Sequence, residues 1–195
     1  MPGDTLRTFV ALALDEADAG PLARWAESAL GEVAGLRLVP AANLHATLVF
    51  CGSVARERAP EIVAAVEEEA TGEGPFRLMP ERVKALGSVV AVVYRTSDPE
   101  RLAALQDRLA QRLVGAGLAK REERPWLPHV TVARARGRGV RLRLPRVEPP
   151  SGDLSPSGVA AYTTVPVPGG VTYRPLALIG LRADTTESAP RSRGG

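Results

Sequence analysis

The apolar positions change period along the chain, and the changes mark out its elements. Thr8 to Leu14 is a near-continuous apolar run, the pattern of a buried strand. From Pro21 the period becomes helical. Leu22, Trp25, Ala26, Ala29, Leu30 and Val33 fall on one face, and Gly35 ends the segment. Leu36 to Val39 and Leu44 to Phe50 return to strand character, the second closed by Cys51 and Gly52. A second helix is predicted over about Glu57 to Ala70, with Ile62, Val63 and Val66 buried, and the Gly-rich stretch Thr71 to Pro75 breaks it. Phe76 to Val83 and Ser88 to Arg95 read as strands. Asp98 and Pro99 suit an N-cap and first turn. The helix behind them runs to about Val114, striped by Leu102, Leu105, Leu109 and Leu113, and Gly115 and Gly117 close it. A polar loop, Lys120 to Arg124, leads through Pro125 and Pro128 into a strand from His129 to Ala135. The Arg-rich segment Arg134 to Arg146 follows, and two or three further strands are expected between Val159 and Leu181.

This succession predicts an α+β protein, and it looks doubled. The first half gives strand, helix, strand and then Leu44 to Phe50. The second gives strand, helix, loop and then His129 to Ala135. Residues 1–182 are expected to form one domain. The small, polar segment 183–195 is expected to be a flexible tail.

Composition adds exclusions. With 45% hydrophobic and 24% charged residues over 195 positions, the chain is neither disordered throughout nor fibrous. No run of ~18 apolar residues is present, so no membrane span is expected. The N-terminus lacks a secretory layout, since its apolar stretch is interrupted at Asp15 and Glu16. The single cysteine, Cys51, cannot form an intrachain disulfide or a thiolate zinc site. A cytoplasmic monomer is the expectation. The net charge of +3 is a mild basic excess, and all but Lys84 and Lys120 of the 25 basic residues are arginine. Arginine suits phosphate because its planar fork donates two parallel hydrogen bonds. An excess of Arg, Ala, Gly and Pro is also what G/C-rich coding produces, so charge alone argues little.

The two histidines argue more. His45 and His129 are the only ones, and each is followed two residues later by threonine: His45-Ala46-Thr47 and His129-Val130-Thr131. In a strand, residues i and i+2 share a face. Each His/Thr pair therefore faces away from the apolar positions beside it. A lone histidine on a strand is usually a structural hydrogen-bonding residue, but two matched triplets that use every histidine in the chain point to a site. A metal site would need a further ligand, and only carboxylates could supply it. Without metal, two imidazoles can serve as one acid and one base near neutral pH. Threonine hydroxyls can donate to anionic oxygens. The set suits in-line displacement at phosphorus, with one His taking a proton from water, the other protonating the leaving sugar oxygen, and both Thr holding the non-bridging oxygens.

These residues resemble the 2H phosphoesterase superfamily, and within it the RNA 2′,3′-cyclic phosphodiesterases historically called 2′-5′ RNA ligases. The likeness covers about residues 6 to 181. Asn43-Leu44-His45-Ala46-Thr47-Leu48-Val49-Phe50-Cys51-Gly52 is similar to that family's LHxTLxFLG segment. Arg124-Pro125-Trp126-Leu127-Pro128-His129-Val130-Thr131-Val132-Ala133-Arg134 is similar to its RxFxPHxTLAR segment, and the two lie 84 residues apart. The opening strand and Gly170-Val171-Thr172-Tyr173 carry further likeness. The resemblance implies a bilobal, pseudo-twofold fold: two antiparallel sheets lining a central groove, with helices outside. It implies hydrolysis of an RNA terminal 2′,3′-cyclic phosphate, or of a related nucleotide, to a 2′-phosphomonoester without metal or other cofactor. It casts His45 as the acid and His129 as the base. Three other readings use the same groups: a non-catalytic nucleotide-binding module, a 2′-5′ RNA ligase, and a phosphodiesterase for a small cyclic nucleotide.

The resemblance makes Arg134 a phosphate-binding arginine, although five residues from His129 it falls on the opposite face of a regular strand. A bulge near Ala133 would bring it back. Arg124 and Trp126 are candidate substrate contacts, and Trp126 is equally suited to packing under the second motif. Arg136, Arg138, Arg141, Arg143 and Arg146 suit either an RNA backbone or a solvated hairpin. By strict alternation Phe50 belongs to the core face. Tyr162 and Tyr173 are candidates for the groove lining.

Overall fold

The protein is described by a computed structural model covering residues 4–137, 142 and 144–181. The expected tail, 183–195, and Arg138, Arg141 and Arg143 lie outside the described residues.

Among the described residues, eight strands and three helices follow the order read from the sequence. β1 (Thr5–Ala13) leads into α1 (Glu16–Leu30), β2 (Leu36–Leu38), a 3-10 turn at Ala41–Asn43 and β3 (His45–Ala55). α2 (Ala59–Ala70), β4 (Leu78–Leu86), β5 (Val89–Thr96) and α3 (Pro99–Gly115) come next. β6 (His129–Ala135), β7 (Gly158–Val167) and β8 (Gly170–Gly180) follow.

Several boundaries differ from the pattern for identifiable reasons. α1 begins at Glu16, five residues before Pro21, because Asp15 caps it by accepting the Asp18 amide at 3.2 Å. Pro21 therefore lies inside the helix, where it lacks a donor for the preceding turn. β3 continues five residues past Phe50, since β1 pairs with it as far as Thr5 opposite Ala55. Gly52, at φ +77, supplies the left-handed conformation that passage requires. Asp98 caps α3 as predicted, and its four leucines are fully buried.

All strand pairs are antiparallel, and they form one curled sheet in the order β4-β5-β6-β3-β1-β7-β8, with β2 added to the far end of β6. The two expected sheets are its halves, joined at a single rung, Ala46 opposite Val130. Neither half is contiguous in sequence. β2 lies with β6, and β7 and β8 lie with β1. α1 packs on β2 and β6, α3 on β3 and β5, and α2 on β7, β8 and α3. The core holds one face of each strand: Val10 and Leu12 of β1, Val90 and Val92 of β5, Val130 and Val132 of β6. The other face of the sheet is free to carry chemistry.

Candidate active site

The rung between β3 and β6 fixes the relation of the two motifs. With Ala46 opposite Val130, the antiparallel register sets His45 across from Thr131 and Thr47 across from His129. Ala46 and Val130 are fully buried, so the side chains of His45, Thr47, His129 and Thr131 leave from the opposite face. Both histidines are half-buried, Thr131 likewise, and Thr47 is 9% exposed.

Each imidazole is held in the same way. Nδ1 of His45 lies 2.8 Å from the carbonyl of Asn43, and Nδ1 of His129 lies 2.7 Å from the carbonyl of Leu127. A carbonyl only accepts, so Nδ1 carries the hydrogen in both rings. Each Nε2 is left to exchange a proton with whatever occupies the face. The Asn43 side chain is also tied down, donating through Nδ2 to the Val171 carbonyl of β8 at 2.8 Å. Asn43 is thus a positioning residue that pattern reading passes over. Its one signal is its place two residues before a motif histidine.

The surroundings of His45 set its charge. Burial pushes its pKa down to about 4, opposed by the Asn43 carbonyl and reinforced by the charges of Arg134 and His129. His45 is therefore neutral at pH 7 in the free protein. Phe9 packs on its ring with centroids 4.7 Å apart, and Tyr173 meets it edge-on at 5.1 Å.

β-Bulges correct the faces of two residues. In β6, Thr131 pairs with Ala91 but Ala133 pairs with Val90, so Val132 is an extra residue. His129, Thr131 and Arg134 then sit opposite Val93, Ala91 and Val89, and so share one face. The register shift that Arg134 needs is present. β3 has its counterpart: Thr47 pairs with Ala11 and Val49 with Val10, which makes Leu48 the extra residue. This overturns the expectation for Phe50. The bulge moves it to the face of His45 and Thr47, opposite Phe9, and it is 66% exposed. Phe50 occupies in the first motif the place that Arg134 holds in the second. Tyr162 and Tyr173 join the same half of the face, near His45. One half is thus aromatic and the other basic.

Trp126 packs against the core, and its indole N–H donates to the Thr47 carbonyl at 2.9 Å. Arg124 is exposed on the loop before β6. Arg136 donates to the Leu36 carbonyl of β2, and Arg146 meets Glu148 in its own segment. A large surface depression lies elsewhere, against Glu68, Glu73, Arg101 and Arg108, whose charges already pair with one another or with neighbouring arginine and glutamate. No group of three or more metal-ligating side chains occurs among the described residues. Nor is any helix among them long and apolar enough to cross a membrane.

A curled antiparallel sheet with helices on one face and two matched His-x-Thr strands on the other defines a phosphoesterase of the two-histidine class. The chain belongs to the 2′-5′ RNA ligase superfamily, whose family model matches residues 14–146. It is 30% identical over 138 residues, 68% of this chain and 72% of the relative, to the RNA 2′,3′-cyclic phosphodiesterase of Methanothermobacter thermautotrophicus. Among solved structures it is similar to TT0787 of Thermus thermophilus, with a TM-score of 0.73 and 25% identity over 91% of this chain and 99% of that one. It is also similar in fold to E. coli LigT complexed with 3′-AMP, with a TM-score of 0.74 and 23% identity over 91% and 99%.

Proposed function

We propose that this protein hydrolyses RNA terminal 2′,3′-cyclic phosphates to 2′-phosphomonoesters, without metal, by acid–base catalysis between His45 and His129. The observation that carries the reading is the Ala46–Val130 rung, which sets each histidine across from the threonine of the other motif. A phosphate between the strands meets two imidazole Nε2 atoms and two hydroxyls. His129 takes a proton from water as its oxygen bonds to phosphorus. The P–O3′ bond breaks, and His45 gives its proton to O3′. Thr47, Thr131 and Arg134 hold the non-bridging oxygens, where charge accumulates. Phe50 offers an exposed ring on which the terminal base stacks.

His45 is neutral in the free protein, so it acts as the acid only if it gains a proton with the substrate. An anionic phosphate beside the ring favours that uptake. The same observation favours a second reading in which the roles are exchanged and neutral His45 is the base. A substrate with sulfur at the bridging 3′ position separates them, because a thiolate leaves without an acid. The His45→Ala variant regains turnover on it if His45 is the acid, and the His129→Ala variant does so if the roles are exchanged.

The proposal is tested with an activity panel: an oligonucleotide ending in 2′,3′-cyclic phosphate, mononucleoside 2′,3′-cyclic phosphates, and the corresponding 3′,5′-cyclic nucleotides. Release of the 2′-phosphate isomer from the first two is expected. Turnover confined to the third, or tight nucleotide binding with no turnover of any, rejects it.

A further inference from the structure

β2 and β6 set two arginines opposite one another. Arg37 and Arg134 are Cα partners, flanked by Leu36 opposite Ala135 and Leu38 opposite Ala133. Leu36, Leu38 and Ala133 join the core, so both guanidinium groups leave from the other face, where His129 and Thr131 lie. Like charges directly opposite in a sheet repel and destabilise it. Several other arginines are paired with carboxylates: Arg58 with Glu61, Arg101 with Asp98 and Glu73, Arg108 with Glu69 and Glu73. Among the described residues, no carboxylate lies within ion-pair distance of Arg37 or Arg134.

Arg37 is nevertheless held in place. Its Nη1 donates to the carbonyl of Gly169, in the β7–β8 turn, at 2.9 Å. A Cβ on Gly170 would come within 3.3 Å of the same nitrogen, so the turn packs closely against the guanidinium. This anchor uses one of five N–H groups and brings no neutralising charge. A fixed, unneutralised guanidinium beside a second one is a preorganised anion site. It also lies on the strand face that carries His129 and Thr131. Arg134 is close enough to His45 to act on its charge, and Arg37 faces Arg134 from β2, farther along the edge of β6 that β3 also borders, about 5 Å from it between Cα atoms in an antiparallel pair.

We propose that Arg37, beside the Arg134 that holds the cyclic phosphate, binds a second phosphate of the substrate: the one on the 5′ oxygen of the nucleoside whose cyclic phosphate lies between the histidines. The proposal rests on the reading above for what occupies the histidines. An internucleotide diester or a free 5′-phosphate supplies the same anionic oxygens. The consequence is a preference for RNA ends, or for 5′-phosphorylated nucleotides, over nucleosides with a free 5′-hydroxyl.

The decisive test is a binding contrast, because it does not depend on turnover. Adenosine 3′-monophosphate and adenosine 3′,5′-bisphosphate are titrated calorimetrically into the wild type, Arg37→Gln and Arg37→Lys. The wild type binds the bisphosphate about tenfold or more tighter, the scale of a charge-assisted contact. Arg37→Gln loses that gain while its affinity for the monophosphate is unchanged, and Arg37→Lys, which keeps the charge, retains part of it. Equal wild-type affinities overturn the proposal. So does equal weakening of both ligands by Arg37→Gln, which would assign Arg37 to holding the Gly169 turn. Kinetics then separates the sources. Loss of kcat/KM on a dinucleotide ending in cyclic phosphate, but not on a 5′-phosphorylated mononucleoside cyclic phosphate, assigns the site to the internucleotide diester. Loss on both assigns it to any 5′-phosphate, and loss on neither overturns it. If the wild type turns over no cyclic phosphate, the catalytic reading fails, and the binding contrast still decides the second-phosphate site.

Discussion

The indole N–H of Trp126 donates to the main-chain carbonyl of Thr47 across 2.9 Å, joining the approach to the second motif to the heart of the first. The need for this bond follows from the topology. β3 shares one rung with β6 and then parts from it, so beyond Ala46 its carbonyls that are not bonded to β1 need other donors. Trp126 serves Thr47, and Gln106 of α3 serves Leu48 at 3.2 Å. Trp126→Phe keeps an aromatic ring and removes the donor. It is expected to lower stability by about 1 kcal/mol in denaturant unfolding, the usual worth of such a bond. KM should stay within about twofold if the ring is a strut between motifs. A large rise in KM with unchanged stability would instead place it against substrate.

Removing either imidazole tests the chemistry. His45→Ala and His129→Ala are each expected to lower kcat on a cyclic-phosphate oligonucleotide by at least ~10², the scale of a lost general acid or base. Both rings sit on the face of their strands away from the core, so the variants should fold, and circular dichroism melts check that. EDTA is expected to leave wild-type turnover unchanged. Near-normal turnover in both variants would remove the two-histidine mechanism, and loss on chelation would bring a metal into it.

Most of the site is legible in the chain because it rests on strand periodicity. His45, Thr47, His129 and Thr131 follow from i, i+2 alternation, and that alternation holds locally in both strands. It fails where a bulge inserts a residue. Leu48 and Val132 each add one, and neither carries a glycine or other local sign of a bulge. Alternation therefore assigns Phe50 to the core although it is exposed, whereas the odd parity of Arg134 already demands a bulge. The lobes are harder to read. Strand order suggests two consecutive halves, but β2 pairs with β6, a long-range choice that three residues of pattern cannot express. Arg37 is invisible for the same reason.

The charge state of His45 gives stability a pH dependence of known sign. Its pKa is about 4 in the folded protein and about 6.5 in an unfolded chain. Between those values the unfolded state holds a proton that the folded state does not, so stability rises with pH from 4 to 6.5 and is level above. The span amounts to roughly 3 kcal/mol as an upper figure. In His45→Gln that component disappears, and denaturant midpoints of the variant should fall less than those of the wild type on going from pH 6.5 to 4.5. Parallel pH curves for the two proteins would mean that His45 is not buried as a neutral ring.

Phe50 provides the last test, and it separates binding from chemistry. The ring is 66% exposed on the face of His45, with Phe9 at 6.3 Å between centroids as its only ring contact among the described residues. An exposed phenyl ring costs solubility and contributes little packing, so truncation should change stability by little. If a base stacks on it, Phe50→Ala loses about 1–3 kcal/mol of binding, a rise in KM of roughly fivefold to a hundredfold, with kcat nearly unchanged. Phe50→Trp keeps or improves the platform and should leave KM near or below the wild-type value. A cyclic phosphate on a ribose without a base supplies the control, since it has nothing to stack. On that substrate wild type and Phe50→Ala should have the same KM, and an equal loss on both substrates would reassign Phe50 to the shape of β3.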